Sequence, residues 1–266
     1  MTTAAEGVAI EAGDGVLRIT LDRPEHKNAL DHAAIRRIVA ALESAATDDS
    51  LRVACLTGRG SDFCSGADWV ATNAAGMRPR TGSLSRRMNL QAHRVIELLR
   101  EIQLPVVCGV RGWAAGLGFQ LALAADFTVT THDARFWQPF SERGFTPDSG
   151  ATWLLPRRVG MPRARELLLL GRALDGREAV EWGIAHQSVD DAQLDAAVAE
   201  LVGRLANGPT VALGLTKWLL HQGEQRDLDA QLADEALALE LSSRTADFRE
   251  GLSAFRDKRP PKFTGR

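Results

Sequence analysis

Two short glycine-containing segments have the composition needed to present free backbone amides to a ligand. Residues 63–68 read Phe-Cys-Ser-Gly-Ala-Asp, and residues 112–118 read Gly-Trp-Ala-Ala-Gly-Leu-Gly. In each segment, glycine lets the chain turn sharply before a predicted helix, so the amides of Ala67 and Leu117 have no helical acceptor. Two such amides aimed at one point stabilise an oxyanion. Either segment alone is equally typical of an ordinary strand-to-helix turn.

Other familiar catalytic arrangements are missing from the sequence. Ser65 and Ser149 lie outside any Gly-x-Ser-x-Gly motif, and no motif places a histidine beside them, which argues against a serine hydrolase. The six histidines show no His-Glu-x-x-His spacing, so we expect no metal site. Gly116-x-Gly118 lacks the rest of a dinucleotide-binding motif, and therefore NAD is not implied.

Repeated strand-loop-helix units position the two segments. The chain begins with a predicted hairpin over residues 8–11 and 16–21, and Asp31 is placed to cap a helix that ends near Ala46. Further strands are predicted at 53–57, 106–110 and 127–131, helices at 86–102 and 117–125, and a loop at 73–85. Helical patterns then dominate, at residues 163–170, 192–206, 211–221 and 228–242. These units predict an α/β core whose strands stack as successive turns.

Length and composition are those of one large domain with a smaller appendage. Of the 266 residues, 45% are apolar, which is enough to form a core without disulfides or metals. Lys and Arg number 32 against 34 Asp and Glu, and no basic run indicates a nucleic-acid partner. Cys55, Cys64 and Cys108 form no pairing motif and are expected to be reduced. Without a signal-like segment or a long apolar run, we expect a soluble, cytoplasmic protein and no membrane partner.

Several segments together resemble the crotonase (enoyl-CoA hydratase/isomerase) superfamily, most closely its ring-epoxide phenylacetyl-CoA isomerase branch. The similar segments follow the family's order over nearly the whole chain: residues 63–68, 112–118, Gln138-Pro139, 144–156, 155–160 and 255–263. The resemblance implies an α/β fold with a spiral core of ββα turns in residues 1–207. It also implies a C-terminal helical trimerisation region in residues 208–266.

The same resemblance implies an acyl-CoA substrate whose thioester carbonyl lies between the amides of Ala67 and Leu117. The position of Leu117 is usually glycine in the family, but leucine retains the amide donor. The resemblance further implies a homotrimer or a dimer of trimers. No cofactor is implied beyond the coenzyme A moiety of the substrate.

Departures from the family pattern bear on the reaction. Where hydratases carry two glutamates that hold a water, this sequence has Gln120 and Phe140, neither of which exchanges protons as a carboxylate does. Asp148 lies where isomerases and a dehalogenase of the superfamily carry a catalytic aspartate. It is the leading candidate base, although an aspartate before Ser-Gly is also typical of a helix cap. Glu142 is the nearest other carboxylate and is equally consistent with a solvated surface residue.

The resemblance also predicts the residues that bind the substrate. The coenzyme A path is expected to follow Lys27, Asn28, Ala29, Ala67, Asp68, Trp69 and Val70, with Leu117, Gln120 and Phe140 nearer the acyl thioester. Phe255 and Lys258 are expected from a neighbouring subunit. Lys27 and Lys258 are the candidate phosphate ligands, although solvated lysines are the alternative. Trp69, Trp113, Trp137, Phe140 and Phe145 either form an aromatic acyl pocket or pack in the core.

Three functions are consistent with this sequence. The favoured hypothesis is an acyl-CoA isomerase in which Asp148 moves a proton next to an enolate. A hydratase that uses Asp148, with or without Glu142, is the second. The third is a catalytically silent acyl-CoA-binding protein, suggested by the loss of both usual glutamates. Retention of Asp148 in an isomerase-like segment argues against this third hypothesis.

Overall fold

Six strands form the main sheet of the protein. The computed structural model describes residues 7–68 and 80–266. Strands β1 (Val8–Gly13) and β2 (Val16–Leu21) form the predicted antiparallel hairpin. Parallel pairing then adds β3 (Val53–Gly58) and β4 (Val106–Val110), and later Phe127–Thr131 and Gln187–Val189. β4 is buried at every position, as expected for a central parallel strand covered on both faces.

A second, three-stranded sheet begins directly after β4. It contains β5 (Trp113–Ala115), β7 (Arg135–Trp137) and β8 (Leu174–Asp175), while β6 (Phe127–Thr131) and β9 (Gln187–Val189) belong to the main sheet. The chain therefore passes from β4 to β5 and again from β6 to β7, leaving the main sheet for the second one on each turn. This arrangement confirms the predicted α/β spiral.

Ten α-helices cover the sheets in the described part of the chain. Asp31 caps α1 as predicted, because its side chain accepts a hydrogen bond from the Ala34 amide. The helices are α1 (His32–Ala45), α2 (Ser83–Leu90), α3 (Ala92–Glu101), α4 (Leu117–Ala124), α5 (Ala151–Leu169), α6 (Gly176–Glu181), α7 (Leu194–Ala206), α8 (Thr210–Gly223), α9 (Leu228–Ser243) and α10 (Ala246–Arg256). Short 3-10 turns lie at Pro24–His26, Ser141–Arg143 and Asp191–Gln193.

One helix prediction was wrong, and one helical segment was not predicted. The helix predicted at 86–102 is two helices, α2 and α3, separated by Gln91 with non-helical φ −131° and ψ −93°. The predicted loop at 73–85 is also too long, because α2 already begins at Ser83. Residues 73–79 of this loop lie outside the described part of the chain. The helix predicted at 163–170 agrees with the part of α5 that follows Gly160, where φ +77° and ψ 162° interrupt the helix; the part before Gly160, which begins at Ala151 and contains Pro156, was not predicted. Proline and glycine are typical helix breakers, so the sequence did not indicate a helix in the first half of α5.

The core lies between the sheets and the helices, with α4 at its centre. All eight residues of α4 are buried, and seven of them are apolar or glycine, with Gln120 as the exception. The C-terminal region is attached through Lys217 of α8, whose ammonium group is 2.8 Å from the Asp126 carboxylate and donates to the carbonyls of Leu99 and Leu104. In contrast, α9 and α10 leave several leucines exposed. Among the described helices, none combines the length and hydropathy required to cross a membrane.

Candidate active site

The two glycine-containing loops lie side by side through backbone contacts. A parallel bridge joins Cys64 to Ala114, with the Cys64 amide donating to Trp113 and the Ala115 amide donating to Cys64, both at 2.8 Å. Gly66 adopts φ +102°, and a β-carbon there would lie 2.9 Å from the Ala115 carbonyl oxygen and 3.5 Å from the Leu117 nitrogen. Glycine is therefore required at Gly66 both for its backbone conformation and for the close approach of the loops.

The amides of Ala67 and Leu117 are available to a ligand. Ala67 and Leu30 form a parallel bridge. In it the Leu30 amide donates to the Gly66 carbonyl and the Asp68 amide donates to the Leu30 carbonyl, so the Ala67 amide takes no part and points away from Leu30. Leu117 is the first residue of α4 and has no helical acceptor. Within residues 7–68 and 80–266, no backbone carbonyl accepts a hydrogen bond from either amide. The structure thus places both predicted amide donors against one cavity.

The cavity lies between the two loops, the start of α1, helices α2 and α3, and the segment after β7. Its empty volume, including the opening to solvent, is about 700 Å³. The apolar lining includes Leu30, Ile35, Leu84, Met88, Ala92, Leu117, Pro139, Phe140 and Phe145. Polar lining residues are His32, Ser65, Arg87, Gln91, Arg143, Asp148 and Ser149. We call this space the main cavity; its lining suits a compact apolar group with a few directed polar contacts.

Asp148 lies where the main cavity meets an adjoining hollow that His93 and Thr146 also line. Burial raises the pKa of the Asp148 carboxyl above its usual 3.8, while the adjacent Ser149 hydroxyl and the charge on His93 act more weakly in the opposite direction. A carboxylate with a raised pKa is a better proton acceptor and donor near neutral pH than an ordinary aspartate. Asp148 therefore has both the position and the chemistry of a general acid-base.

Gln120 holds the backbone of Asp148 rather than lining the main cavity. Its side chain is completely buried, and Nε2 donates to the Asp148 carbonyl at 3.3 Å and to Gln138 Oε1 at 3.4 Å. The substrate contact predicted for Gln120 is therefore replaced by a positioning contact. The cap alternative for Asp148 was also wrong, because α5 begins after Gly150 and no side chain caps it.

The aromatic residues predicted to form the acyl pocket divide into two groups. Phe140 and Phe145 line the main cavity and pack edge to face, with ring centroids 5.4 Å apart. Trp113 and Trp137 pack against each other at 5.7 Å and are not lining residues, but both are half-buried rather than part of the core, so neither alternative describes them. Trp69 lies outside the described residues.

Glu142 is placed away from the main cavity. It lies in the exposed 3-10 turn Ser141–Arg143, with carboxylate oxygen Oε1 3.3 Å from the place that a β-carbon on Gly171 would occupy. It is absent from the lining of both the main cavity and the adjoining hollow. Asp148 and Glu142 are therefore not arranged as a carboxylate pair around a common water in this chain.

The residues predicted for coenzyme A binding have different environments. Lys27 is exposed, and its ammonium nitrogen lies 5.8 Å from the centroid of the Trp113 ring. Asn28 is buried, and its amide donates to the carbonyls of Arg59 and Asp62, which makes it a structural residue rather than the predicted ligand. Of this set, Lys27 has the free charge that a phosphate requires.

The remaining predicted ligands do not all lie at the main cavity of a single chain. The Ala29 carbonyl accepts a hydrogen bond from Arg23, and Asp68 forms an ion pair with Arg23 at 3.2 Å. Phe255 is 85% exposed near the end of α10, and neither Phe255 nor Lys258 lines the main cavity. Their role stays a prediction that requires a neighbouring subunit. Val70 lies outside the described residues.

Comparisons with known proteins agree with this geometry. The family model described as enoyl-CoA hydratase/isomerase matches residues 11–266. The chain belongs to the enoyl-CoA hydratase/isomerase family. It is 41% identical to the 1,2-epoxyphenylacetyl-CoA isomerase of Escherichia coli K12, with coverage of 95% of this chain and 96% of that protein. The 2,3-dehydroadipyl-CoA hydratase of the same organism is 34% identical over 94% of this chain and 96% of its own length.

Solved structures of this family have the same fold. The crystal structure of enoyl-CoA hydratase from Bacillus anthracis superposes with a TM-score of 0.90 at 30% identity, and the match covers 98% of this chain and 100% of that one. Because both isomerases and hydratases are among the relatives, family membership supports acyl-CoA isomerase or hydratase chemistry without distinguishing the two.

Several lining residues were not identified from the sequence. His32 and Gln91 both line the main cavity, and their Nδ1 and Oε1 atoms are 2.6 Å apart. Arg87 of α2 is another lining residue. Ser149 was considered only as a hydrolase nucleophile, yet it lies buried in the lining. None of these residues belongs to a motif. Only the pairing of α1 with α2 and α3 in three dimensions brings them together.

Proposed function

We propose that this protein is an acyl-CoA isomerase in which Asp148 is the single proton carrier. The observation that supports the proposal most is that Asp148 is the one carboxylate among the described residues lining the main cavity. Its raised pKa and the neighbouring amides of Ala67 and Leu117 are what enolate chemistry requires. The 41% identity to a 1,2-epoxyphenylacetyl-CoA isomerase favours a ring-bearing acyl group.

The proposed reaction consists of two proton transfers. The Asp148 carboxylate removes a proton from the carbon next to the thioester carbonyl, and the electron pair of the broken C–H bond moves into the carbonyl. The resulting enolate oxygen accepts hydrogen bonds from the amides of Ala67 and Leu117. Protonated Asp148 then returns the proton further along the conjugated system, which shifts the double bond and restores the carbonyl. Atoms and electrons balance without an oxidant, a reductant or water.

Hydration is the second candidate, since hydratases are also among the relatives. A water molecule would need a base to accept its proton and an acid to protonate the other carbon. In this chain Glu142 lies outside the main cavity. The family resemblance expects the usual glutamates at the positions that Gln120 and Phe140 occupy. Asp148 would have to carry out both steps alone, so isomerisation is the simpler chemistry for this site.

A mass-spectrometric assay in heavy-oxygen water tests the proposal. The purified protein is incubated with linear enoyl-CoAs, dienoyl-CoAs and ring-modified phenylacetyl-CoAs. We expect turnover of at least one conjugated or ring-modified thioester, giving a product of unchanged mass. Incorporation of one heavy oxygen would instead identify a hydratase. Binding of all these thioesters with no turnover would favour the silent acyl-CoA-binding protein.

Substitution of Asp148 tests its assigned role in the same assay. Asp148→Asn keeps the size of the side chain but removes the proton-accepting carboxylate. We expect turnover to fall by about a hundredfold or more, the usual scale for loss of a positioned general base, with acyl-CoA affinity near that of the wild type. Glu142→Gln is the matched control and should change turnover only slightly. Normal turnover by a folded Asp148→Asn variant would assign the proton transfer to another group.

A further inference from the structure

Two glutamine side chains form a closed amide pair in the interior beside the site. Gln120 of α4 and Gln138, which follows β7, are both 0% exposed. Each Nε2 donates to the Oε1 of the other at 3.4 Å, so the two side-chain amides satisfy one another reciprocally. The other seven residues of α4 are apolar or glycine. Apolar side chains of the same shape in place of both glutamines would stabilise this core about equally well, so stability alone does not explain the pair.

The pair makes one further contact, which reaches the backbone of Asp148. Gln120 Nε2 also donates to the Asp148 carbonyl at 3.3 Å, and the Ala151 amide donates to the same oxygen at 3.0 Å. Ser149 and Gly150 follow with positive φ values of +48° and +83°. A serine in this left-handed region is strained and stays there only when its surroundings fix the turn. The two hydrogen bonds to the Asp148 carbonyl therefore hold the turn that directs the Asp148 side chain.

The same pair is connected to the loop that presents the Leu117 amide. Gln120 lies on α4 within one turn of Leu117, the first residue of that helix. Gln138 follows Trp137, whose carbonyl accepts a hydrogen bond from the Gly116 amide at 3.0 Å. Gly116 directly precedes Leu117. The amide pair thus links three segments: the start of α4, the end of β7 and the turn before α5.

We propose that Gln120 and Gln138 are positioning residues that hold the Asp148 carboxylate in a fixed place relative to the Leu117 amide. Neither glutamine lines the main cavity, so both act through Asp148 and the start of α4 rather than through the substrate. The inference rests on the proposed function, because it requires Asp148 to remove the proton next to the thioester. It adds that the buried amide pair serves the geometry of the site and not the stability of the core.

Deuterium exchange tests this role without requiring isomerisation. Phenylacetyl-CoA is incubated with the protein in deuterium oxide, and mass spectrometry follows replacement of the hydrogens next to its thioester, a step that requires Asp148 as base. Gln120→Met and Gln138→Met keep the side-chain length and remove the amide. Each single variant should lower the melting temperature by about 5 °C, because the partner amide loses its hydrogen bond in the core. The double variant should regain the wild-type melting temperature, because no unpaired amide remains.

Exchange should not follow stability in these variants. In every variant that lacks Gln120, including the stable double variant, we expect exchange to slow by about tenfold or more, because a displaced base reacts poorly. Calorimetry should show phenylacetyl-CoA affinity within about twofold of the wild type, since the main cavity is unchanged. Adding Gln120→Met to Asp148→Asn should cause no further loss, because the carboxylate that Gln120 positions is already absent.

The matched control is Thr128→Val. Thr128 is also buried, and its hydroxyl donates to the Ala122 carbonyl of α4 at 2.8 Å, so this variant should lower the melting temperature and keep the exchange rate. Wild-type exchange in the double glutamine variant, equal slowing in Thr128→Val, or no exchange by the wild type would overturn the inference. A double variant as unstable as the single ones would assign the pair a structural role instead. The isomerase proposal fails separately, if heavy oxygen enters the product of the other assay.

Discussion

Asp148 does not titrate in isolation, because several charged or titratable side chains share its surroundings. His32, Arg87 and Arg143 line the main cavity, and His93 lines the adjoining hollow. Burial is nevertheless the largest influence and raises the pKa of Asp148, with His93 opposing it. Since the proposed base must be ionised, activity depends on pH being above this raised pKa. In the proposed mechanism, the pKa of Asp148 therefore sets the lower pH limit of activity.

The pH profile of kcat/KM follows from these directions. Activity should fall as pH decreases through the raised pKa of Asp148, so the acid limb lies above the 3.8 of an ordinary aspartate. His93 lowers the pKa of Asp148, and His93→Gln should therefore move the acid limb to higher pH. The measurement is kcat/KM against pH for both proteins, with the exposed His186 substituted as His186→Gln for control. An acid limb that stays in place, or moves to lower pH, would contradict the assigned electrostatic effect.

At the scale of elements, the proposed mechanism depends most on the start of α4. Leu117 is the first helical residue, a position where proline is compatible with the helix but removes the amide donor. Leu117→Pro should lower turnover by about a hundredfold or more, as expected for loss of one oxyanion-hole donor. The side chain is buried, so Leu117→Met is the control because it preserves most of the volume and the amide. Turnover and coenzyme A affinity are measured for both variants after circular dichroism establishes that they are folded.

Near-normal turnover by a folded Leu117→Pro variant would exclude the amide from the reaction. A parallel loss in Leu117→Met would instead point to packing of the buried side chain as the cause. The two variants together separate the backbone contribution from the side-chain contribution.

The elements could be predicted from the sequence where the local pattern and the tertiary structure agree. The hairpin, the parallel strands and the Asp31-capped helix follow from β-branched runs, turn residues and capping chemistry. The first half of α5 could not, because Pro156 lies within it and Gly160 interrupts the helix after it, so the local pattern does not indicate a helix there. The two amide loops were found from their glycines. The buried environment of Ser149 depends on distant segments and leaves no local signal.

For the molecule as a whole, the predicted spiral core of residues 1–207 and the C-terminal helical region of residues 208–266 are joined by direct contacts. Arg52, which follows α1, donates to the Gly208 carbonyl at 2.6 Å and to the Phe263 carbonyl at 3.3 Å. Lys217 is buried against Asp126, and removing either charge alone would leave the other without its partner in a low-dielectric site. The C-terminal region is therefore packed on the spiral core, while its outer helices expose apolar surface.

That apolar surface leads to a prediction about assembly. Leu237 and Leu241 are 53% and 49% exposed and lie one turn apart on α9, so they share one face of that helix. We expect α9 and α10 to bury this surface in a homotrimer, as the family resemblance implies. The double variant Leu237→Asp/Leu241→Asp should then dissociate or assemble poorly, because association would bury two unpaired carboxylates. Light scattering coupled to size-exclusion chromatography measures the mass, and Leu169→Asp, a 68% exposed leucine outside these helices, is the control. A monomeric wild type, or a trimer unaffected by the double substitution, would show that this face does not mediate assembly.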